Sequence, residues 1–150
     1  MKKIQLITDG ACLGNPGPGG WAAILRYESR KREMCGSQPH TTNNRMELTA
    51  AIEGLRAIQE SCEVEVITDS EYVKNGITQW IHAWKRRNWL KSDKKPVVNS
   101  DLWRELDCEA ARHKTTWVWT KGHASHEDNN RADELANMAA REQRSCNSTV

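Results

Sequence analysis

Two aspartates close apolar runs that end in the same tripeptide, Lys3-Ile4-Gln5-Leu6-Ile7-Thr8-Asp9 and Glu65-Val66-Ile67-Thr68-Asp69. A carboxylate at the end of a β-branched strand stands on the rigid rim of a sheet, where α/β proteins place their chemistry. If the two strands are neighbours, Asp9 and Asp69 repel each other, and a divalent cation would relieve that repulsion. Glu47, after Thr42-Asn43-Asn44, and Asp133, three residues after Asn130, add two acids at the starts of helical segments. Four oxygen donors suit hard Mg²⁺ or Mn²⁺ and the two-ion chemistry of phosphoryl transfer. Each acid also has an ordinary explanation. Aspartates are frequent at turns and helix caps, and Asn44-x-x-Glu47 has the form of a capping box.

The elements that must position these acids follow from periodicity. Ile4–Thr8, Trp21–Tyr27 and a weaker Glu33–Gln38 read as strands joined by two short connections, hence as antiparallel hairpins. Leu48, Ala51, Ile52, Leu55 and Ile58 recur at helical spacing within 42–59, so a helix crosses over to a fourth strand, Val64–Thr68. Such a crossover joins parallel strands and sets Asp69 beside Asp9. Helices are expected over 70–75, 78–87, 101–112 and 129–144, with a fifth strand at Trp117-Val118-Trp119. The pattern predicts one α/β domain over 1–150, with a flexible tail from about residue 144.

The chain has 150 residues, 28% of them charged, and no apolar run long enough to span a bilayer. The start of the chain lacks the apolar stretch of a secretory leader, so the cytoplasm is the expected location. Five dispersed cysteines, Cys12, Cys35, Cys62, Cys108 and Cys146, fit free thiols and no zinc site, with one bridge left open. Net charge is only +2, yet Lys85, Arg86, Arg87, Lys91, Lys94 and Lys95 crowd one segment opposed by Asp93 alone. A local basic cluster of this kind points to a polyanionic partner. Trp80, Trp84 and Trp89 interleave with it, and the spacing of Ile77, Trp80, Ile81 and Trp84 places most of these rings in the core.

Long motifs in one order carry a resemblance: Ile7-Thr8-Asp9-Gly10 followed by Cys12-Leu13-Gly14-Asn15-Pro16-Gly17-Pro18-Gly19-Gly20, Thr42-Asn43-Asn44-Arg45-Met46-Glu47-Leu48, Thr68-Asp69-Ser70, Gly76-Ile77-Thr78-Gln79-Trp80, Lys121-Gly122-His123, and Arg131-Ala132-Asp133-Glu134-Leu135-Ala136. The chain resembles bacterial type 1 ribonuclease H over nearly its whole length. The resemblance implies an α/β, ribonuclease H-like fold: a five-stranded mixed sheet, three antiparallel strands then two parallel, flanked by helices. It also implies metal-dependent endonucleolytic hydrolysis of the RNA strand of RNA–DNA hybrids, with little sequence specificity. Asp9, Glu47, Asp69 and Asp133 match the metal-binding carboxylates, with Mg²⁺ as cofactor and Mn²⁺ as a substitute. His123, in a glycine-containing loop, matches an auxiliary residue for proton transfer or product release.

The same resemblance assigns hybrid contacts. Cys12, Asn15, Asn43 and Asn44 fall to the minor groove, whose 2′-hydroxyls need short neutral donors and acceptors. Thr42 and Asn99 fall to a phosphate, and Asn75, Trp80, Lys85, Arg86, Arg87 and Trp103 to further substrate contacts, the basic ones gripping the DNA strand. The expected partner is the hybrid duplex bound by a monomer. Three positions depart from the family pattern: Glu71 stands where glutamine is common, and Ser125 and Glu127 replace a glycine and a proline near His123. Two other readings remain open: a nuclease or strand-transfer enzyme of the same fold, and a hybrid-binding module without catalysis, although a pure binder of polyanions has reason to discard four acids.

Overall fold

The computed structural model describes residues 1–120 and 127–149. Strands β1 (Lys3–Cys12), β2 (Gly17–Tyr27) and β3 (Arg30–Thr41) form an antiparallel meander. Helix α1 (Asn43–Ala57) crosses to β4 (Glu63–Thr68), which pairs parallel to β1 with Ile7 opposite Ile67. Helices α2 (Glu71–Asn75), α3 (Ile81–Arg86) and α4 (Ser100–Ala111) precede β5 (Lys114–Trp119), parallel to β4. Helix α5 (Glu127–Glu142) and β6 (Cys146–Thr149) complete the described elements. The sheet order is β5-β4-β1-β2-β3-β6. It is a mixed sheet with helices on both faces, as the resemblance implies.

Adjacent residues of β1 feed two cores because both faces are covered. Leu6 packs with Leu48, Ile52 and Leu55 of α1 and with Trp103 and Leu106 of α4. Ile7 packs with Ala132, Leu135, Ala136 and Ala139 of α5. Strands enclosed in this way read as continuous apolar runs, which is why Leu6-Ile7 and Val66-Ile67 show no alternation.

The structure corrects the expected outline at three points. Among the described residues the sheet has six strands: Cys146–Thr149, expected within a tail, pairs antiparallel to β3 with Cys146 opposite Cys35. Those two cysteines form a disulfide, while Cys12, Cys62 and Cys108 are free. A four-residue edge strand has too few residues to show periodicity, so sequence pattern could not reveal it. Finally, α2 and α3 are joined by a π-helical turn, Gly76–Trp80. A Cβ on Gly76 would lie 2.0 Å from the ring of Trp103, so this wide turn closes directly on the buried indole and only glycine fits there.

Helix α5 is pinned to the sheet by charge. Asp128, 3% exposed, accepts hydrogen bonds from Nε and Nη2 of Arg26 on β2 and lies 3.4 Å from Lys31 Nζ on β3. Arg131 on the next turn donates to both oxygens of Glu33, at 3.0 and 3.2 Å. Hydrogen bonding to Arg26, reinforced by the Arg26 and Lys31 charges, holds the Asp128 carboxyl below its ordinary value. Its contribution to stability is therefore full above pH about 4 and is lost as pH falls through the depressed value. Asp128→Asn is expected to cost about 2 kcal/mol at neutral pH. Urea unfolding at pH 7 and pH 3 should show that deficit shrinking on acidification, and an equal deficit at both pH values would remove Asp128 from the acid-sensitive set.

Candidate active site

Asp9, Glu47 and Asp69 converge from three elements, and one carboxylate oxygen of each lies within 4.8 Å of those of the other two. Asp69 follows the last residue of β4, as the strand-end reading requires. Asp9 does not end its strand: β1 runs on to Cys12, paired only with β2 once its register with β4 stops at Ile7. The rim is formed by the end of β4, and β1 continues past it.

Glu47 reaches this rim because α1 lies against Gly10. A Cβ there would sit 2.6 Å from the Glu47 backbone nitrogen and 2.7 Å from the Met46 carbonyl carbon. The Gly10 N–H donates to Glu47 Oε1 at 2.5 Å and contacts Asp9 Oδ1 at 2.9 Å. Glu47 Oε2 is fully buried, with no donor facing it among the described residues. The capping-box explanation of Glu47 fails. Thr42 caps α1, its Oγ1 accepting from the Arg45 N–H at 3.3 Å, and Glu47 lies in the second turn, facing inward. Burial, then the neighbouring Asp9 and Asp69 charges, pushes the Glu47 carboxyl well above its ordinary value.

Asp133 lies outside this trio. Helix α5 is described from Glu127 onward, so Asp133 lies beyond its first turn and no cap explains it; its Oδ1 accepts from Asn137 Nδ2 at 3.2 Å. His123, like Ser125, lies outside the described residues. All-oxygen ligation, a buried oxygen without a donor and clustered like charges fit a hard divalent cation.

Beside the carboxylates the structure gathers several of the residues assigned to the hybrid. Cys12 Sγ contacts the Thr41 carbonyl at 3.4 Å, and Asn15 Oδ1 accepts from the Asn43 N–H at 3.0 Å. The β1–β2 turn is thereby tied to the start of α1, with Asn15, Asn43 and Asn44 exposed. Asn75 ends α2, half-buried, and Asn99 precedes α4 in a left-handed conformation, φ 61°.

Farther along, Lys85, Arg86 and Arg87 are exposed at the end of α3, with Lys85 paired to Asp107 at 2.8 Å. Trp80 is 37% exposed, its ring 5.9 Å from Trp84. Trp103 is corrected. It is 0% exposed, packed against Trp84 and Tyr72, and belongs to the core, so no hybrid can touch it. Four residues shaping the site had no assigned part: Gly10; Arg45; Tyr72, whose hydroxyl meets Asn99; and Trp119, whose indole N–H holds the Asp69 carbonyl at 3.2 Å. Only for Gly10 was a signal visible, a glycine directly after a rim carboxylate.

The family model for RNase H matches residues 1–141. The chain belongs to the ribonuclease H family. It is 70% identical over 143 residues to ribonuclease H of Solibacter usitatus, covering 95% of this chain and 98% of that protein. It is 56% identical over 140 residues to ribonuclease H of Escherichia coli O9:H4 (strain HS), covering 93% and 90%. Among solved structures it is similar to LC9-RNase H1, a type 1 RNase H with the type 2 active-site motif. There the TM-score is 0.89 at 34% identity, over 99% of this chain and 77% of that one. It is also similar to LC11-RNase H1 solved in complex with an RNA/DNA hybrid, with a TM-score of 0.65 at 25% identity, over 93% and 97%. Ribonucleases H are hydrolases acting on RNA in hybrids, and the chain is an enzyme of that class.

Proposed function

We propose that the chain cuts the RNA strand of RNA–DNA hybrids endonucleolytically, leaving 5′-phosphate and 3′-hydroxyl ends, with cations held by Asp9, Glu47, Asp69 and Asp133. The convergence of three carboxylates from β1, α1 and β4 within 4.8 Å carries this reading. Mg²⁺ is the cofactor that the donor set favours, with Mn²⁺ as a substitute. A pair of such ions would supply an activated water and charge compensation for the leaving oxygen.

The chain's own residues do the rest. The Gly10 N–H holds Glu47 Oε1 in place, leaving Oε2 for ligation. Cys12, Asn15, Asn43 and Asn44 offer short polar groups to a shallow groove, which suits recognition by 2′-hydroxyl and shape. Thr42 and Asn99 hold a phosphate; Asn75 and Trp80 extend the contact surface. His123 serves as an auxiliary residue for proton transfer or product release. The enzyme acts as a monomer in the cytoplasm.

A labelled hybrid incubated with the protein, with and without Mg²⁺, tests this, alongside duplex DNA, duplex RNA and single-stranded RNA. Cutting of the hybrid's RNA strand alone, dependent on Mg²⁺, is the expected outcome. Binding without cutting would make the chain a recognition module, and cutting of DNA would move it to the wider nuclease class.

The exposed basic end of α3 makes a separate prediction. Neutralising Lys85, Arg86 and Arg87 together should weaken hybrid binding and reduce the slope of log Kd against log salt by about 2. The shortfall from 3 reflects Lys85, already compensated by Asp107. Fluorescence anisotropy across a salt series measures it, and an unchanged slope would return these residues to ordinary solvated surface.

A further inference from the structure

Arg45 is not one of the carboxylates nor, by the assignments above, a contact of the hybrid, yet its side chain makes three hydrogen bonds to the start of α4. Nη1 donates to Asn99 Oδ1 at 3.1 Å and to Asp101 Oδ1 at 3.1 Å, and Nη2 donates to Asp101 Oδ2 at 2.9 Å. Its backbone N–H is the donor to the Thr42 hydroxyl. One residue of α1 thus contacts both Thr42 and, across the gap to α4, Asn99.

Asn99 is held from its other side as well. Its Nδ2 donates to Tyr72 Oη at 3.1 Å, and the same oxygen accepts from the indole N–H of Trp103 at 3.0 Å. Trp103 is completely buried and closes on Gly76, so this end of the chain of bonds is anchored in the core. Asn99 precedes α4 without capping it with its side chain. Its amide is committed to this network.

The consequence is one of polarity. A carboxamide can present either an oxygen, which repels phosphate, or an NH₂ group, which binds it. A guanidinium only donates, so the atom facing Arg45 must be the oxygen. Nδ2 carries two hydrogens, and Tyr72 takes one.

We propose that Arg45 is a positioning residue for substrate: the Asp101–Arg45–Asn99–Tyr72 network fixes the Asn99 amide with its oxygen sequestered and an N–H left for a phosphate, at a set spacing from Thr42. This rests on the hybrid reading and names how one of its contacts is built. Arg45→Lys keeps the charge but loses the planar fork that reaches Asn99 and Asp101 together. It raises KM for the hybrid about tenfold and leaves kcat within about twofold, the signature of lost uniform binding.

The test compares kcat and KM for a short fluorescein-labelled RNA–DNA hybrid in wild type, Arg45→Lys, Asn99→Ala and the double variant. Acting through Asn99, the Arg45 substitution adds nothing in the Asn99→Ala background. An equal rise in KM in both backgrounds, or none in wild type, overturns the proposal. Asn99→Asp keeps a partner for Arg45, guards against loss of folding, and presents only oxygens; it binds hybrid more weakly than Asn99→Ala. Wild-type affinity in Asn99→Asp would equally defeat the donor assignment. Absence of hybrid cleavage by wild type would instead defeat the functional reading itself.

Discussion

Asp69→Asn is expected to abolish hybrid cleavage while making the metal-free protein harder to unfold. Loss of one carboxylate from a cation site lowers kcat by about 10³-fold or more, some 4 kcal/mol of transition-state stabilisation. The stability change runs the other way because Asp9, Glu47 and Asp69 crowd like charges together, one carboxylate oxygen of each within 4.8 Å of the others. Burial and the two neighbouring charges raise the Glu47 carboxyl well above its ordinary value. The folded chain then holds a proton that the unfolded chain releases. This group's contribution to stability therefore declines as pH rises from about 4.3, the unfolded value, through the raised one. Removing the Asp69 charge relieves part of that penalty, by about 1 kcal/mol, or a rise of about 2–4 °C in Tm. Calorimetry in chelator at pH 7 measures it. Added Mg²⁺ should then raise the wild-type Tm and leave the variant's nearly unmoved. A variant that unfolds earlier than wild type in chelator would mark Asp69 as a structural residue.

Gly10→Ala should also slow turnover strongly, although it removes no functional group. The added methyl would meet the backbone of Met46 and Glu47 at 2.6–2.7 Å, and backbone cannot rotate away. Either α1 withdraws from β1 or the strand buckles, and the bond from the Gly10 N–H to Glu47 Oε1 lengthens. Displacement of a catalytic carboxylate by about 1 Å costs on the order of 10²-fold in rate, and overpacking of this kind costs about 1–3 kcal/mol of stability. Single-turnover cleavage at saturating hybrid, set beside urea unfolding, separates the two effects. Full activity in Gly10→Ala would show that the Glu47 carboxylate need not stand where the structure places it.

The sequence displayed the site more fully than the frame around it. Asp9 and Asp69 were legible because a β-branched run ending in the same tripeptide twice is a local signal. The 42–59 periodicity then supplied the crossover that brings them together. Glu47 was visible as an acid near a helix start, but its inward direction depends on α1 meeting Gly10, a contact between distant segments. Arg45 and Tyr72 were opaque for the same reason: their partners lie 27 or more residues away. Trp103 was assigned to the hybrid by resemblance, and the structure places it in the core. Its burial follows from Gly76, 27 positions earlier, and nothing near Trp103 announces it. The strands ran longer than their apolar cores suggested, since β1 continues through Gly10-Ala11-Cys12 on pairing with β2 alone.

The short sixth strand covers part of an exposed sheet edge. An edge strand of twelve residues such as β3 offers unpaired amide groups on which a second copy could add its own strand, the route by which sheet proteins aggregate. Cys146–Thr149 occupies that edge along Arg32–Cys35, the stretch bearing Met34 and Cys35. Beyond it, Pro39 lacks an amide hydrogen and interrupts the remaining ladder. Cys146–Thr149 thus shields the amide groups of Arg32–Cys35. Trimming residues 144–150 would remove that cover together with the Cys35–Cys146 bond, and should leave Arg32–Cys35 open to strand addition by a second copy.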